Sequence, residues 1–366
     1  MSAAFTISLD AMGGDHAPEI VLKGAALARV RYPSAHFLLF GDEARLNTLL
    51  KAEKALAGHC TIRHTGHVIT GDTKPSQAIR QGRQSSMWKA IDAVKNGEAA
   101  GVVSAGNTGA LMAIAKLIMR PLPGIDRPAI CSLFPTRLGE TVMLDLGANS
   151  LCDARNLVEF AVMGACFART MLGMARPSVG LLNVGSEEVK GTDALREANQ
   201  MLRGSRLEME FAGFIEGDDI AKGTVDVVVT DGFTGNVALK TAEGTAKLFA
   251  EFLKAAIRSS LLAKFGMLFA KPALAQVMAR TDARRYNGAL FVGLNGVVVK
   301  SHGGTDAVGF ANAIGVAVDM ISRDLNSKIA EELARMAAPL EQADSEADPS
   351  TPSKTEPTAV AEAPTQ

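Results

Sequence analysis

The sequence predicts an α/β protein organised on a largely parallel sheet, and three observations carry that expectation. The first is Val225 to Lys240, VDVVVTDGFTGNVALK, where mostly β-branched apolar residues enter the turn Thr230-Asp231-Gly232 and then a helical pattern. A continuous apolar run is what a strand buried on both faces requires. The second is recurrence. Apolar runs meet loops rich in Gly, Asn, Ser, Thr and Asp at Asp10, Ser104, Asp145, Asn183, Asp231 and Ser301. In open α/β sheets such loops lie at the carboxyl ends of strands, where free N–H groups and helix N-termini receive ligands, so all six are expected at one sheet edge. The third is composition: 47% hydrophobic residues, 35 glycines and only 5% aromatics suit a turn-rich α/β core.

The chain of 366 residues has room for one large α/β domain or two lobes. A net charge of −1 gives no case for nucleic acid as the main partner. Cys60, Cys131, Cys152 and Cys166 form no C-x-x-C pair, so free thiols are expected rather than a disulfide frame or a zinc site. No signal peptide opens the chain and no apolar run looks as long as a membrane span, which predicts a cytoplasmic protein.

In order, Phe5 to Leu9 reads as a strand, followed by Asp10-Ala11-Met12-Gly13-Gly14-Asp15-His16-Ala17-Pro18 and a helix through Val30. The glycine pair suits an anion cradle with His16 at its edge; a tight turn capped by Asp15 or His16 is the plainer alternative. Strands follow at His36–Phe40 and Cys60–Arg63, with a helix between them reaching about Ala57. His64 and His67 lack neighbouring carboxylates and read as a surface cluster, not a metal site. Helical patterns run from Lys74-Pro75 to Asn96. The strand Gly101–Ser104 then opens Ser104-Ala105-Gly106-Asn107-Thr108 before the helix Leu111–Met119.

Ile130–Phe134 and Thr141–Leu144 read as a hairpin-like pair, ending at Asp145-Leu146-Gly147-Ala148-Asn149. Arg155–Leu172 is an apolar helix suited either to an internal core or to a second subunit. Val179 begins the strand VGLLNV, whose loop carries Asn183, Ser186 and Lys190; here Lys190 can neutralise an anion while Asn183 and Ser186 donate hydrogen bonds. A further strand spans Leu207–Phe214. Val297–Lys300 feeds Ser301-His302-Gly303-Gly304-Thr305-Asp306 and a helix to about Met336. The Pro-, Ala-, Ser-, Thr- and Glu-rich segment 339–366 is expected to be a disordered acidic tail after a single 1–338 domain.

No G-x-S-x-G elbow, Cys-His signature or metal-spaced His pair with carboxylates occurs. From residues alone, the chain is an α/β enzyme with a glycine-lined pocket for a phosphate or carboxylate and no evident covalent nucleophile.

The motifs DAMGGDHAP (Asp10–Pro18), SAGNTGA (Ser104–Ala110), GIDRPA (Gly124–Ala129), LDLGAN (Leu144–Asn149), LLNVGSEEVKG (Leu181–Gly191) and TDGFTGNVALK (Thr230–Lys240) resemble the motif set of the PlsX-type phosphate acyltransferases. The resemblance spans about residues 5 to 330. It implies a three-layer parallel or mixed sheet related to the isocitrate/isopropylmalate dehydrogenase and phosphotransacetylase fold. It also implies a homodimer that moves an acyl group from acyl carrier protein to inorganic phosphate, without cofactor or metal. The acyl phosphate would feed a membrane glycerol-3-phosphate acyltransferase in phospholipid synthesis.

That chemistry needs no covalent intermediate. Phosphate is nucleophilic near neutral pH and a thiol of pKa about 8.5 is a fair leaving group, so positioning and oxyanion stabilisation suffice. Lys190 and His302 are the candidates for phosphate charge, Asn236 for the thioester oxygen, and Asp231 for orienting these donors. Asp10, Gly13, Gly14, His16, Ser104, Gly106, Asn107, Thr108, Asn149, Asn183, Ser186, Thr234 and Gly235 are the candidate substrate- and phosphate-binding positions. A NAD-dependent hydroxy-acid dehydrogenase on the related fold and a non-catalytic carrier-protein adaptor are the alternatives. The first lacks the G-x-G-x-x-G fingerprint, and the second leaves the repeated polar loops without a purpose.

Leu261, Leu262, Phe265, Leu268 and Phe269 recur at helical spacing, bordered by Lys264 and Lys271, with Pro272 expected to restart the chain. On pattern, 259–280 is an amphipathic helical hairpin docked on the core or a partner subunit; the family resemblance implies peripheral membrane contact instead.

Overall fold

The computed structural model describes residues 5 to 346 apart from Arg206, Thr281 and Ala283. Its first half runs β1 (Phe5–Asp10), α1 (Glu19–Arg31), β2 (Ala35–Gly41), α2 (Glu43–Leu50), β3 (Cys60–His64), α3 (Pro75–Gln81), α4 (Ser86–Lys95), β4 (Gly101–Ser104) and α5 (Thr108–Met119). The antiparallel pair β5 (Ala129–Pro135) and β6 (Glu140–Leu144) follows, as the alternation around Arg137-Leu138-Gly139 anticipates. Next come α6 (Ala154–Phe167), β7 (Ser178–Leu182), α7 (Asp193–Gly204), β8 (Glu210–Ile215), α8 (Gly217–Lys222) and β9 (Val227–Val229). Two long helices, α9 (Gly232–Ser259) and α10 (Leu261–Arg280), precede β10 (Ala289–Val292), β11 (Val297–Lys300), α11 (Ala307–Ser322) and α12 (Leu325–Glu346).

The strands form one 11-stranded sheet in the order β3-β2-β1-β4-β11-β10-β5-β6-β9-β7-β8. Alternate residues of each strand face opposite helical layers. Ile7, Leu9, Phe37, Leu39, Val142, Leu144, Val227, Val229 and Val299 join one core with Phe310 of α11 and Phe160 of α6. Leu38, Phe40, Val102, Met143, Val228 and Val298 join the other with Ile91 of α4 and Leu111 of α5. This is the three-layer α/β/α arrangement with a mixed sheet that the sequence predicts. The all-valine sequence of the short β9 fits its position, because all three residues are fully buried.

Strand direction decides where the loops go. β1, β2, β3, β4 and β11 are mutually parallel, and so are β6, β9, β7 and β8. Between the groups lie three antiparallel pairings, β11–β10, β10–β5 and β5–β6. Three reversals leave the groups running in opposite directions, so their carboxyl ends emerge at opposite edges. The expectation of six loops on one edge is therefore corrected to two sets. Asp10, Ser104 and Ser301 share one edge; Asp145, Asn183 and Asp231 share the other.

Other differences are local. The helix after β2 stops at Leu50 and only a 3₁₀ turn, Lys54–Leu56, follows before β3. Every residue of α6 except Arg155 is buried within this one chain, which makes it a core helix. Gly164 permits that closeness, since a Cβ there would lie 2.5 Å from Val227 Cγ1 of β9. Beyond Phe167 the helix widens into a π turn, Ala168–Leu172, ended by Gly173 at φ 73°.

Helix α12 passes Pro339 and ends at Glu346; residues 347 to 366 lie outside the described residues. Pro272 does not restart the chain: α10 is continuous through it, and the helix break falls at the extended Ser260. Contrary to the sequence reading, α10 is long and apolar enough to cross a membrane, with a mean hydropathy of 1.3 over its most apolar window. None of its residues is buried, and only Gly232 and Gly235 are buried in α9. All four cysteines are free, Cys131 and Cys166 buried and the other two half-buried.

Candidate active site

At the first edge the loops after β1, β4 and β11 interlock. Asp10 closes β1 fully buried, and its Oδ2 accepts the Ser104 hydroxyl at 2.7 Å from the end of β4. Ser104 Oγ in turn accepts the Gly106 N–H at 3.0 Å. Gly13 must lack a side chain, because a Cβ would stand 2.4 Å from Asp10 Oδ2 and 2.8 Å from Gly106 N. Gly14 has a φ of +106° and lies against Ala105 and Gly303, while Asp15 N–H donates to Gly303 O at 3.0 Å. The two glycines therefore serve close loop packing as well as any cradle.

Ser301 and His302 continue β11 into this knot. Asn287 organises them: its Nδ2 donates to Ser301 Oγ at 2.8 Å and its Oδ1 accepts the His302 N–H at 2.8 Å. His302 Nδ1 accepts the Gly304 N–H at 3.2 Å, which leaves Nε2 as the protonated, donating nitrogen of the neutral ring. Burial, then Lys240 and Lys300, hold the His302 pKa below the ordinary range, so near neutral pH the ring is a hydrogen-bond donor rather than a cation. Lys240 and Lys247 belong to α9, which thus reaches from the second edge towards the first.

His16 and Thr108 are exposed near this edge. Asn107 is occupied structurally. Its Oδ1 caps α5 at the Ala110 N–H, 2.9 Å away, and its Nδ2 donates to Gly71 O and Thr73 O at 2.7 and 3.1 Å.

At the second edge, Asp145 after β6 is the organiser. Its Oδ1 accepts the N–H groups of Ile130, Gly147 and Ala148, and its Oδ2 accepts both Asn149 N–H at 2.7 Å and Asn149 Nδ2 at 3.0 Å. Desolvation still raises its pKa against those donors. Asn149 also donates Nδ2 to Pro128 O, and its carbonyl accepts the Gly232 N–H at 2.8 Å. Asp231 caps α9 with two contacts to Thr234, accepting its N–H at 2.9 Å and its hydroxyl at 2.7 Å. Gly235 lies on this loop so closely that a Cβ would be 1.9 Å from Asp145 O. Asn236, exposed, donates to Leu146 O at 3.1 Å.

Beside them, Asn183 shapes the loop after β7. Its Nδ2 donates to Lys190 O at 3.2 Å and its Oδ1 accepts the Val184 N–H. Gly191, at φ +88°, leaves room for it. Ser186 is exposed, and exposed Lys190 pairs with Glu187 at 3.2 Å. The structure thus groups Asp231, Thr234, Gly235, Asn236 and Asn149 at one edge. It groups Asp10, Gly13, Gly14, Ser104, Gly106 and His302 at the other.

Sequence reasoning passes over two residues that these geometries single out. In the sequence Asp145 is only part of a polar loop, and Lys300 only a strand end. Lys300 Nζ donates to Ala105 O at 3.3 Å and to Ser301 O. Burial depresses its pKa to about 8, with Asp10 and Asp15 opposing the shift. Its signal is a lysine closing an all-valine strand one residue before a polar loop. Among the described residues no group of His, Cys, Asp and Glu has the arrangement of a metal site.

The comparisons agree with this architecture. A structure of a phosphotransacetylase from Streptococcus pyogenes superposes with a TM-score of 0.61 at 18% identity, covering 87% of this chain and 94% of that one. EutD phosphotransacetylase from Staphylococcus aureus gives 0.56, also at 18% identity, covering 90% and 94%. At such identities the likeness is one of fold. Sequence relatives are much nearer. A phosphate acyltransferase of Rhodospirillum rubrum is 62% identical over 92% of this chain and 96% of its own length. One of Rhodospirillum centenum is 64% identical over 94% and 97%. The family model described as "Fatty acid synthesis protein" matches residues 5–328. From these matches and the motif-bearing loops described above, the chain belongs to the PlsX-type fatty acid synthesis protein family.

Proposed function

We propose that this protein transfers a fatty acyl group from acyl carrier protein to inorganic phosphate, giving an acyl phosphate for phospholipid synthesis. The observation that carries the reading is near full-length similarity to proteins named phosphate acyltransferase, over a chain whose motif residues form the two loop clusters. An oxygen of hydrogen phosphate adds to the thioester carbonyl, the C–S bond of the tetrahedral adduct breaks, and the departing thiolate takes up, through solvent, the proton that the phosphate gives up. Lys190 and His302 serve the phosphate, the first by charge and the second by its Nε2–H. Asn236 and the N–H groups at the start of α9 face the developing oxyanion, with Asp231 holding that turn. No protein nucleophile is required: Cys131 and Cys152, the thiols nearest the second edge, are held as thiols by burial, with Cys152 pushed up to about 12. The dehydrogenase and adaptor alternatives are not favoured by the relatives.

The active form is a homodimer in this reading. Lys190 lies at the opposite edge from His302 in one chain, and exposed Leu151, Val184, Val189 and Phe233 surround the second edge. A two-fold partner brings one edge of each chain to the other edge of its mate. The α9–α10 arm is the peripheral membrane contact, supported by exposed Leu261, Leu262, Phe265, Leu268 and Phe269. Spanning is disfavoured by topology, since α9 leaves the same sheet that β10 re-enters. Held at the cytoplasmic membrane surface, a labile acyl phosphate is released beside a membrane glycerol-3-phosphate acyltransferase. Mass spectrometry after mixing protein, acyl carrier thioester and phosphate tests the central step; absence of acyl phosphate overturns it.

A further inference from the structure

The geometry points to Lys300 as a residue that holds the phosphate acceptor at the β1–β4–β11 edge, an assignment that rests on the acyl-to-phosphate reading above. Lys300 emerges from the carboxyl end of β11, between the loop of Gly13 and Gly14 and that of Gly106. Its ammonium has three donors, and the protein supplies two carbonyls, Ala105 O and Ser301 O. Neutral carbonyls orient a cation without cancelling its charge. Among the described residues no carboxylate forms a salt bridge with it: Asp10 and Asp15 act on it through their charge without a hydrogen bond. Asp10 is moreover a poor counter-ion, because burial raises its own pKa and its Oδ2 is held by Ser104.

A half-buried ammonium without a paired anion carries an uncompensated desolvation cost, and an entering anion relieves it. The groups facing the same mouth set the sign of the field. From α9 come Lys240, Lys247 and Glu243, from the β11 loop His302, and from the β1 loop exposed Asp15. Lys240 is paired with Glu243 at 2.9 Å, which leaves Lys300 and Lys247 facing solvated Asp15, and His302 Nε2–H adds a neutral donor beside them. A tetrahedral oxyanion uses such a set well. Its oxygens accept from Lys300 Nζ and His302 Nε2, while Ala105 O and Ser301 O hold the lysine head and the Gly304 N–H holds the imidazole.

The test compares Lys300→Met and Lys300→Arg in the full-length protein, using inorganic phosphate as the probe. Phosphate should raise the melting temperature of wild type in a dose-dependent way. In Lys300→Met the concentration needed, and KM for phosphate, should rise about 10- to 100-fold, as for loss of a charge-assisted contact, with KM for the acyl carrier thioester little changed. Wild-type affinity for phosphate should weaken as pH rises through about 8, where the ammonium is lost. Lys300→Arg should bind phosphate without that alkaline limb, because a guanidinium stays charged. A folded Lys300→Met with KM for phosphate within about threefold of wild type overturns the assignment. If Lys300→Met does not fold, an unchanged alkaline limb in Lys300→Arg overturns it instead. Wild type that makes no acyl phosphate overturns the activity reading alone, provided phosphate still stabilises it and does not stabilise Lys300→Met.

Discussion

Replacing Asp145 by Asn changes one atom and reverses one side of a five-bond knot. In wild type Oδ1 accepts three backbone N–H groups and Oδ2 accepts the backbone and side-chain nitrogens of Asn149. If the substituted amide keeps its oxygen on the three-donor side, its nitrogen faces Asn149 N–H and Asn149 Nδ2. Two N–H bonds lose their acceptor beside a carboxyl with no exposure, although half-buried Asn149 keeps its Nδ2 bond to Pro128 O. Each orphaned buried donor costs about 1–3 kcal/mol, so the loss is about 2–6 kcal/mol. Reversing the amide orphans three donors instead of two. Because the raised pKa of Asp145 reflects desolvation, removing the charge returns part of this, which favours the lower half of the range. Equilibrium urea denaturation followed by far-UV circular dichroism measures the change. A double-mutant cycle with Asn149→Ala separates the shared contacts, and the second substitution should cost less in the Asp145→Asn background. A loss below about 1 kcal/mol would refute the claim that these bonds hold the second edge together.

Gly235→Ala should destabilise by about 1–3 kcal/mol or more, because its Cβ would meet Asp145 O at 1.9 Å and backbone must move, and a melting temperature equal to wild type would contradict the close approach. Lys190→Ala and Asn236→Ala should each lose about 100- to 1000-fold in turnover while remaining folded, and rates within a few-fold of wild type would remove them from the mechanism. Mixing inactive Lys190→Ala with inactive His302→Ala should restore part of the acyl phosphate formation if one site draws on two chains; no recovery after subunit exchange argues for a site within one chain. Leu262→Glu/Phe265→Glu should abolish flotation with anionic liposomes without changing oligomeric state, and undiminished flotation would exclude α10 as the anchor.

Much of this protein follows from local sequence rules. The strand of three valines at Val227–Val229 and the β5–β6 pair express short-range preferences that could be read before any coordinates, whereas Asn107, offered by the sequence as a binding residue, turned out to be a helix cap. The motif set likewise identified the family, because its residues form loops that neighbours in sequence already specify. What only tertiary structure decided was direction and neighbourhood. Three antiparallel pairings in mid-sheet send apparently equivalent loops to opposite edges, and no local pattern encodes the sign of a strand relative to one distant in sequence. The same holds for Lys300. Its significance lies in a half-buried position against the β4 loop and, among the described residues, in having no paired carboxylate, both of which depend on contacts about two hundred residues or more away in the chain. The exposed face of α10 is the converse case, since its apolar spacing fits a core helix equally well and only its unburied position tells the two apart.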